Sequence, residues 1–319
     1  MKRLNEVSLK ALGREIKLQH DKTNDYLIRG TAWGGKLRVF GVRTTDLIEE
    51  LRRRHGTLPT ATAALGRTAT AGAMMGAMLK GEEKLTIQVK GDGPVGQIVV
   101  DANAHGEVRG YADNPEVQLP SNALGKLDVA GAVGRNGHIH IIKDLGLKEP
   151  YRGSTPIVSG ELAEDFTYYF ATSEQTPSVV GLSVLVDEYG KVMTAGGFIV
   201  QLLPGVSEEE ITRLEQAITI LPPISALLDQ GETPEGLLRW VVGDDLQLLD
   251  TLDIVFACKC SRERVERTLI SMGEQELKQL IQEDGRAEIV CHFCNETYEF
   301  DRPQLEMLLD QAKPQKPIQ

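Results

Sequence analysis

The chain has 319 residues, 41% of them hydrophobic and 25% charged, and a formal net charge of −11 at pH 7. This length accommodates two or three domains around one sizeable core, while the acid excess argues against binding nucleic acid chiefly through its phosphates. No apolar run reaches the roughly 18 residues of a membrane span, and four cysteines are too few for a disulfide scaffold, which points to a reducing, cytoplasmic setting with thiols free or on metal.

Residues 1–24 mix basic and acidic groups and lack an apolar h-region, so they do not read as a secretory signal. Leu4, Val7, Leu12 and Ile16 fall on one helical face among six Lys/Arg. The segment is expected to be a poorly ordered extension, with a docking helix as the alternative. The folded body begins near Tyr26. Residues 26–32 and 36–42 are β-rich runs joined by Trp33-Gly34-Gly35, a hairpin signal. Residues 44–55 read as a helix carrying Leu47, Ile48 and Leu51 on one face and ending at Gly56. Residues 61–80 are helical and rich in Ala and Gly, as suits a buried central helix. Met74, Met75 and Met78 belong to its packing rather than to an adaptable binding surface.

Strands are expected over 85–90, 96–102, 107–112 and 139–142, separated by Gly, Asn, Asp and Pro turns. A helix over 159–173 and a hairpin over 180–187 and 191–200 follow. Gly91-Asp-Gly93-Pro-Val-Gly96 matches the dinucleotide fingerprint letter by letter. That fingerprint must open a helix whose amides meet phosphates. Gln97-Ile-Val-Val100 is instead a strand, and Pro94 lacks an amide, so the loop reads as a hairpin turn. His138 and His140 share a strand face without an evident third ligand. No nucleophile elbow, zincin helix or P-loop is present, and nothing supports an enzyme. The body over 25–205 is thus α+β, a mixed α/β unit with mostly antiparallel sheet.

Residues 206–253 read as a helical linker. Ser207-Glu208-Glu209-Glu210 is a capping box. Ile211, Leu214, Ile218 and Leu221 recur at heptad-like spacing, Pro222-Pro223 stops the helix, and a short apolar helix follows over 224–228. Thr233-Pro234 opens another, with Leu237, Leu238, Trp240 and Val241. Each helix is marginal in water by itself and must lie on something.

All four cysteines fall within the last module, 254–312, which precedes a tail over 313–319 expected to be disordered. They read Cys258-Lys-Cys260, then thirty residues, then Cys291-His-Phe-Cys294. Two tight pairs flanking a helix-length insert present four thiolates to one tetrahedral zinc. His292 is read as a bystander. So small a module cannot bury enough surface to fold securely without metal. Structural zinc contributes about 10–16 kcal/mol of apparent binding energy in comparable domains. Thiolates are also what oxidants attack, and once the metal leaves each pair can close on itself. Cys291 and Cys294 have favourable spacing. Cys258 and Cys260, only two apart, approach the upper edge of the roughly 4.4–6.8 Å disulfide window, so their bond would be readily reduced again.

The C-x-C…C-x-x-C arrangement, continued as Cys294-Asn-Glu-Thr-Tyr298-Glu-Phe300, resembles the redox-regulated 33 kDa chaperonins (heat-shock protein 33). Arg43-Thr-Thr-Asp46, Leu65-Gly-Arg67-Thr68, Lys84-Leu-Thr86, Gly91-Asp-Gly-Pro94, Asp101-Ala-Asn103, Ser173-Glu-Gln175, Ala195-Gly-Gly-Phe198 and Leu203-Pro-Gly205 agree with that family. The resemblance runs from about Tyr26 to Leu309. It implies an ATP-independent holdase holding one zinc per chain on Cys258, Cys260, Cys291 and Cys294, inactive while reduced. Oxidation would form Cys258–Cys260 and Cys291–Cys294 disulfides and release zinc. The linker would then lose order and offer Ile211, Leu214, Ile218, Leu221, Leu237, Leu238 and Trp240 to unfolding client proteins. The active form would be a homodimer, with no membrane or nucleic-acid partner. The rival from another class is a zinc-ribbon nucleic-acid-binding protein, which should carry basic and aromatic residues around its metal; this module is nearly charge-balanced.

Overall fold

The computed structural model describes residues 24–123 and 125–312. The expected extension (but for Asn24) and tail lie outside them. The chain opens on an antiparallel hairpin, β1 (Tyr26–Ala32) and β2 (Leu37–Arg43), with Leu27 opposite Val42. The indole of Trp33 in its turn donates to the Val242 carbonyl at 2.8 Å. Helix α1 (Thr45–His55) buries Leu47, Ile48 and Leu51 and stops at Gly56, whose φ of 62° closes the helix in the left-handed conformation. Helix α2 (Pro59–Gly76) starts two residues before the expected 61, because Pro59 can take the first helical turn, where a missing amide costs nothing. Nearly all its side chains are buried. A Cβ on Gly72 would lie 2.8 Å from Val100, so the small residues let the helix sit directly on a sheet.

Three antiparallel strands follow, β3 (Lys84–Lys90), β4 (Gln97–Asn103) and β5 (Glu107–Ala112). The 91–96 loop joins β3 to β4 as a hairpin, and its Gly93 and Val95 amides donate to carbonyls of α3 (Val129–Val133). Next come β6 (His138–Asp144), β7 (Tyr151–Pro156), α4 (Leu162–Thr172), β8 (Ser178–Val186) and β9 (Val192–Leu202). Neither α3 nor β7 was expected. Strand β7 buries only Gly153 and Thr155, two small residues beneath α4 that carry no hydrophobic periodicity. Helix α3 is a single capped turn, with Asp128 accepting from the Gly131 amide at 2.8 Å.

The segment expected to be helical, 206–253, contains α5 (Glu208–Thr219), α6 (Ile224–Asp229) and α7 (Pro234–Val242) but ends in a strand, β10 (Gln247–Asp253); β11 (Val255–Phe256) follows just beyond it. Both arms of the Ser207–Glu210 capping box form. The first sheet has the order β10-β1-β2-β9-β8 and the second β11-β5-β4-β3-β6-β7. The principal core lies between them around α1, α2 and α4. A second core fills the outer face of the first sheet, where Tyr26, Ile28, Leu37, Val39 and Phe198 meet Leu214, Leu227, Leu237, Leu238, Val241 and Val242. The first sheet is therefore covered on both faces, and β1 sends Leu27 to one core and Ile28 to the other.

Gly41 on β2 fixes how closely α7 can approach. A Cβ there would lie 2.8 Å from the Pro234 carbonyl and 3.1 Å from Leu238. Gly41→Ala is expected to weaken docking by about 1–3 kcal/mol and to accelerate amide exchange across Pro234–Val242 more than across α2. Unchanged exchange in α7 would show that the approach carries no energy.

The last module holds α8 (Arg262–Met272), α9 (Glu274–Glu283), the antiparallel pair β12 (Arg286–Val290) and β13 (Thr297–Asp301), and α10 (Arg302–Ala312). Its own core is small: Leu269, Leu277, Ile281, Phe300, Leu305 and Leu308. Among the described residues, no helix is long and apolar enough to cross a membrane.

Candidate metal centre

Two chain segments deliver the cysteines. The first leaves the first sheet at Asp253, and Ile254 donates its amide to the Asp25 carbonyl at 3.1 Å. It joins the second sheet through Val255 to Gly106 and Ala257 to Val108, each at 3.0 Å. Cys258 and Cys260 follow at once, and Ser261 caps α8 by accepting from Arg264. The second is the turn between β12 and β13. Cys291 donates to the Glu296 carbonyl at 2.9 Å and Asn295 to the Cys291 carbonyl at 2.8 Å. Asn295 takes φ 59°, a left-handed conformation that asparagine tolerates better than most residues.

The four sulfurs lie within 4.8 Å of one another. Cys258 is 3.7 Å from Cys291 and Cys260 3.2 Å from Cys294, all as free thiols. Zinc–sulfur bonds of about 2.3 Å place tetrahedral sulfurs about 3.8 Å apart, so the set fits a metal of that preference. Four thiolates at this spacing repel one another, and the fully ionised set needs a cation at its centre. Cys294 is only 4% exposed and the other three are half-buried. Burial alone would push the Cys258 thiol up; the Cys260 amide, the thiols of Cys260 and Cys294, and Arg109 outweigh it and bring it down to about 7. Burial pushes the Cys260 and Cys294 thiols up instead. The Tyr298 hydroxyl donates to the Cys260 sulfur at 3.2 Å, the outer support that orients a ligand.

The cluster is pinned to the body at a seat formed by the end of α1 and by β5. Arg54 donates to the Cys294 carbonyl at 3.2 Å, and the Asn295 amide group returns a bond to the Arg54 carbonyl at 2.9 Å. His55 Nε2 lies 3.2 Å from the Phe293 carbonyl. A carbonyl can only accept, so that nitrogen carries the proton; burial holds the ring below its ordinary pKa. Arg109 stacks over the Phe293 ring at 4.0 Å, pairs with Asp101 at 2.7 Å and reaches the Cys258 sulfur at 3.7 Å. Tyr111 meets Phe293 edge-on at 5.3 Å. His292 lies beside Tyr111 with ring centroids 5.8 Å apart, outside the sulfur cluster.

Against this geometry the comparisons decide the family. A sequence model described as Hsp33 protein matches residues 25–301. The chain belongs to the Hsp33 family. It is 53% identical over 290 residues to a 33 kDa chaperonin of Geobacillus kaustophilus strain HTA426, covering 91% of this chain and 99% of the relative. It is also 53% identical over 288 residues to a 33 kDa chaperonin of Bacillus subtilis strain 168, covering 90% and 99%. A crystal structure of a 33 kDa chaperonin (heat shock protein 33 homologue) from Thermotoga maritima matches with a TM-score of 0.85 at 38% identity, over 90% of this chain and 98% of that one. The expected α+β fold with its C-terminal cysteine cluster is the Hsp33 fold.

Within this Hsp33-family chain the seven linker residues do not share one environment. Leu214, Leu237 and Leu238 are buried in the second core, while Ile211, Ile218 and Leu221 are half-buried. Trp240 turns outward and is 48% exposed. Positions 237, 238, 241 and 242 form the inner stripe of α7, which leaves 240 on the opposite side of the helix. The cysteines were legible by their spacing. Arg54, His55, Arg109 and Tyr111 were not, because basic residues ending a helix ordinarily complement its dipole and an alternating Arg-x-Tyr is an ordinary strand face. His138 and His140 stack at 5.8 Å on β6; the one group of three or more clustered His, Cys, Asp or Glu ligands among the described residues is the four cysteines.

Arg109→Ala removes the stacking, the ion pair and the sulfur contact together. It is expected to weaken the seat by about 2–3 kcal/mol. Metal content should stay at the wild-type level, while the cysteine module separates from the body at lower peroxide. Titrating peroxide against amide exchange across β5 checks this; an unchanged midpoint would show the seat to be passive.

Proposed function

We propose that the protein is a redox-regulated, ATP-independent holdase, inactive while its four thiolates hold one zinc and active towards unfolding proteins after oxidation. The observation that carries this reading is the four-sulfur cluster, set in a module with a small core and pinned to a body whose linker helices cover an apolar sheet. Zinc bound there would serve as a structural cross-link between the two cysteine segments. Cys258, Cys260, Cys291 and Cys294 are the proposed ligands, and the all-sulfur donor set favours zinc among common divalent ions.

The Cys258 and Cys260 thiolates give up two electrons and form one S–S bond as one hydrogen peroxide takes those electrons and two protons from solvent and becomes two waters. Cys291 and Cys294 do the same with a second peroxide. No thiolate ligand then remains. In the folded cluster the crosswise pairs lie at 3.7 and 3.2 Å, within a set whose four sulfurs all fall within 4.8 Å of one another. Sequential pairing is favoured once the module opens, because its loops are far shorter than the crosswise ones and closing them costs less entropy.

The module occupies the seat on α1 and β5 and is joined through β11 and β10 to the linker helices. Its loss leaves α5, α6 and α7 to hold their own places, and short helices are marginal without partners. Ile211, Leu214, Ile218, Leu221, Leu237 and Leu238 are the proposed client surface, each worth about 1.5–3 kcal/mol when fully buried. Trp240, already half exposed, adds little hidden area. The active form is proposed to be a homodimer in the cytoplasm, without enzymatic or nucleic-acid-binding activity. Aggregation of a thermally denatured client should be suppressed only after peroxide treatment. Equal suppression by the reduced protein, or a salt-dependent shift of RNA in place of suppression, would overturn the reading.

A further inference from the structure

Residues 247–256 close two sheet edges in succession. Strand β10 pairs antiparallel with β1 from Tyr26 opposite Asp253 to Thr31 opposite Gln247, and forms the edge of the first sheet. Two residues later β11 pairs parallel with β5, Val255 opposite Glu107 and Phe256 opposite Val108, and forms the edge of the second. No residue of β10 or β11 is fully buried, and Leu249 is 62% exposed; Leu248, Leu252 and Phe256 are half-buried against the two cores, and Ile254 between the strands is buried. The strand beneath is the opposite. Five of the seven residues of β1 are buried, with Leu27 and Ile28 reaching separate cores. A covering strand paired through its main chain, with side chains at most half-buried, over an apolar inner strand is a segment that another extended polypeptide can replace. An uncovered edge of this kind is otherwise a standing invitation to strand pairing.

We infer that the edges of β1 and β5 are main-chain docking sites for extended segments of unfolded clients, which add as strands where β10 and β11 sit in the reduced protein. This deepens, and rests on, the redox-controlled release proposed for the linker. An unfolded client need share no side-chain pattern with another client, but every client shares the peptide backbone, and strand addition reads the backbone. The occupant is argued from the chain itself: the sites already hold ten residues of ordinary polypeptide, antiparallel on one edge and parallel on the other. The apolar linker surface and these edges are distinct, since one is read by side chains and the other by amides and carbonyls.

The test uses the full-length protein and a fluorescent peptide of residues 246–254, made in three forms: unmodified, N-methylated at Leu252 and Ile254, whose amides face β1, and N-methylated at Thr251 and Asp253, whose amides face away. The unmodified peptide should bind the peroxide-treated protein and not the reduced one. One methylated form, whose blocked amides face the edge, should bind at least about tenfold more weakly, and the other should bind nearly as well as the unmodified peptide. In parallel, β1 amides should lose exchange protection on oxidation and regain it on adding reduced, carboxymethylated lactalbumin, a permanently unfolded chain. Equal binding of all three peptides would overturn the inference. So would recovery of protection with rising protein concentration and no client, which would assign the edge to a second copy. Zinc, thiol and holdase assays on the same samples separate the two levels: holdase onset with equal peptide binding refutes only the edge sites, whereas no holdase onset refutes the redox reading and the edge sites with it.

Discussion

Cys294→Ala is expected to unfold the C-terminal module and to leave the protein active as a holdase without any oxidant. Cys294 is the most buried of the four cysteines, and its loss leaves three sulfurs where a closed tetrahedral site needs four. The module's own core is six buried apolar side chains. Structural zinc supplies about 10–16 kcal/mol in comparable domains, while whole domains are stable by only about 5–15 kcal/mol. Removing the metal site therefore removes more than the module can lose. The variant should lack zinc, lose amide protection over 258–312 and suppress client aggregation under reducing conditions. Retention of protection there would mean that the core, not the metal, holds the module.

Leu237→Ala is expected to separate the linker from the metal. Leu237 is 0% exposed and packs in the second core between α7 and the first sheet. Truncating such a leucine costs about 2–5 kcal/mol, a large fraction of what holds a nine-residue helix in place. The variant should keep its zinc and four reduced thiols yet suppress client aggregation at lower temperature, or with less peroxide, than the parent chain. Ile220, 76% exposed, is the matching control, and Ile220→Ala should leave the activation threshold unchanged. If Leu237→Ala and Ile220→Ala behave alike, the linker helices do not restrain client binding.

Different physical signals made parts of this architecture readable from sequence and hid others. The helix starts of the linker were readable because caps are local chemistry: Ser207 with Glu210, and Thr233 before Pro234, act within a few residues. The cysteine cluster was readable because its two tight pairs have the spacing a metal site demands, whatever the fold around it. Strand β10 was not readable. Gln247-Leu-Leu-Asp-Thr-Leu-Asp carries no alternating pattern, since the strand sits on an edge with its side chains exposed or half-buried, and its place is set by β1 more than two hundred residues earlier. The seat for the knuckle was hidden for the same reason. Arg54, His55 and Arg109 meet Phe293 and Cys294 across the fold, and nothing in their own neighbourhoods announces a partner. Which side of α7 faces inward was not readable because its residues are nearly all apolar; the sheet beneath buries Leu237, Leu238, Val241 and Val242 and leaves Trp240 outward.

The central claim is that one metal-held cluster restrains client binding by the rest of the chain. Counting zinc and free thiols through a peroxide titration, alongside aggregation suppression on the same samples, tests it most directly. The account predicts one zinc and four thiols at the start, lost together, with holdase activity rising over the same range and reversing when thiols and zinc are restored. Holdase activity that rises while zinc stays bound, or zinc loss with no gain in activity, would contradict it.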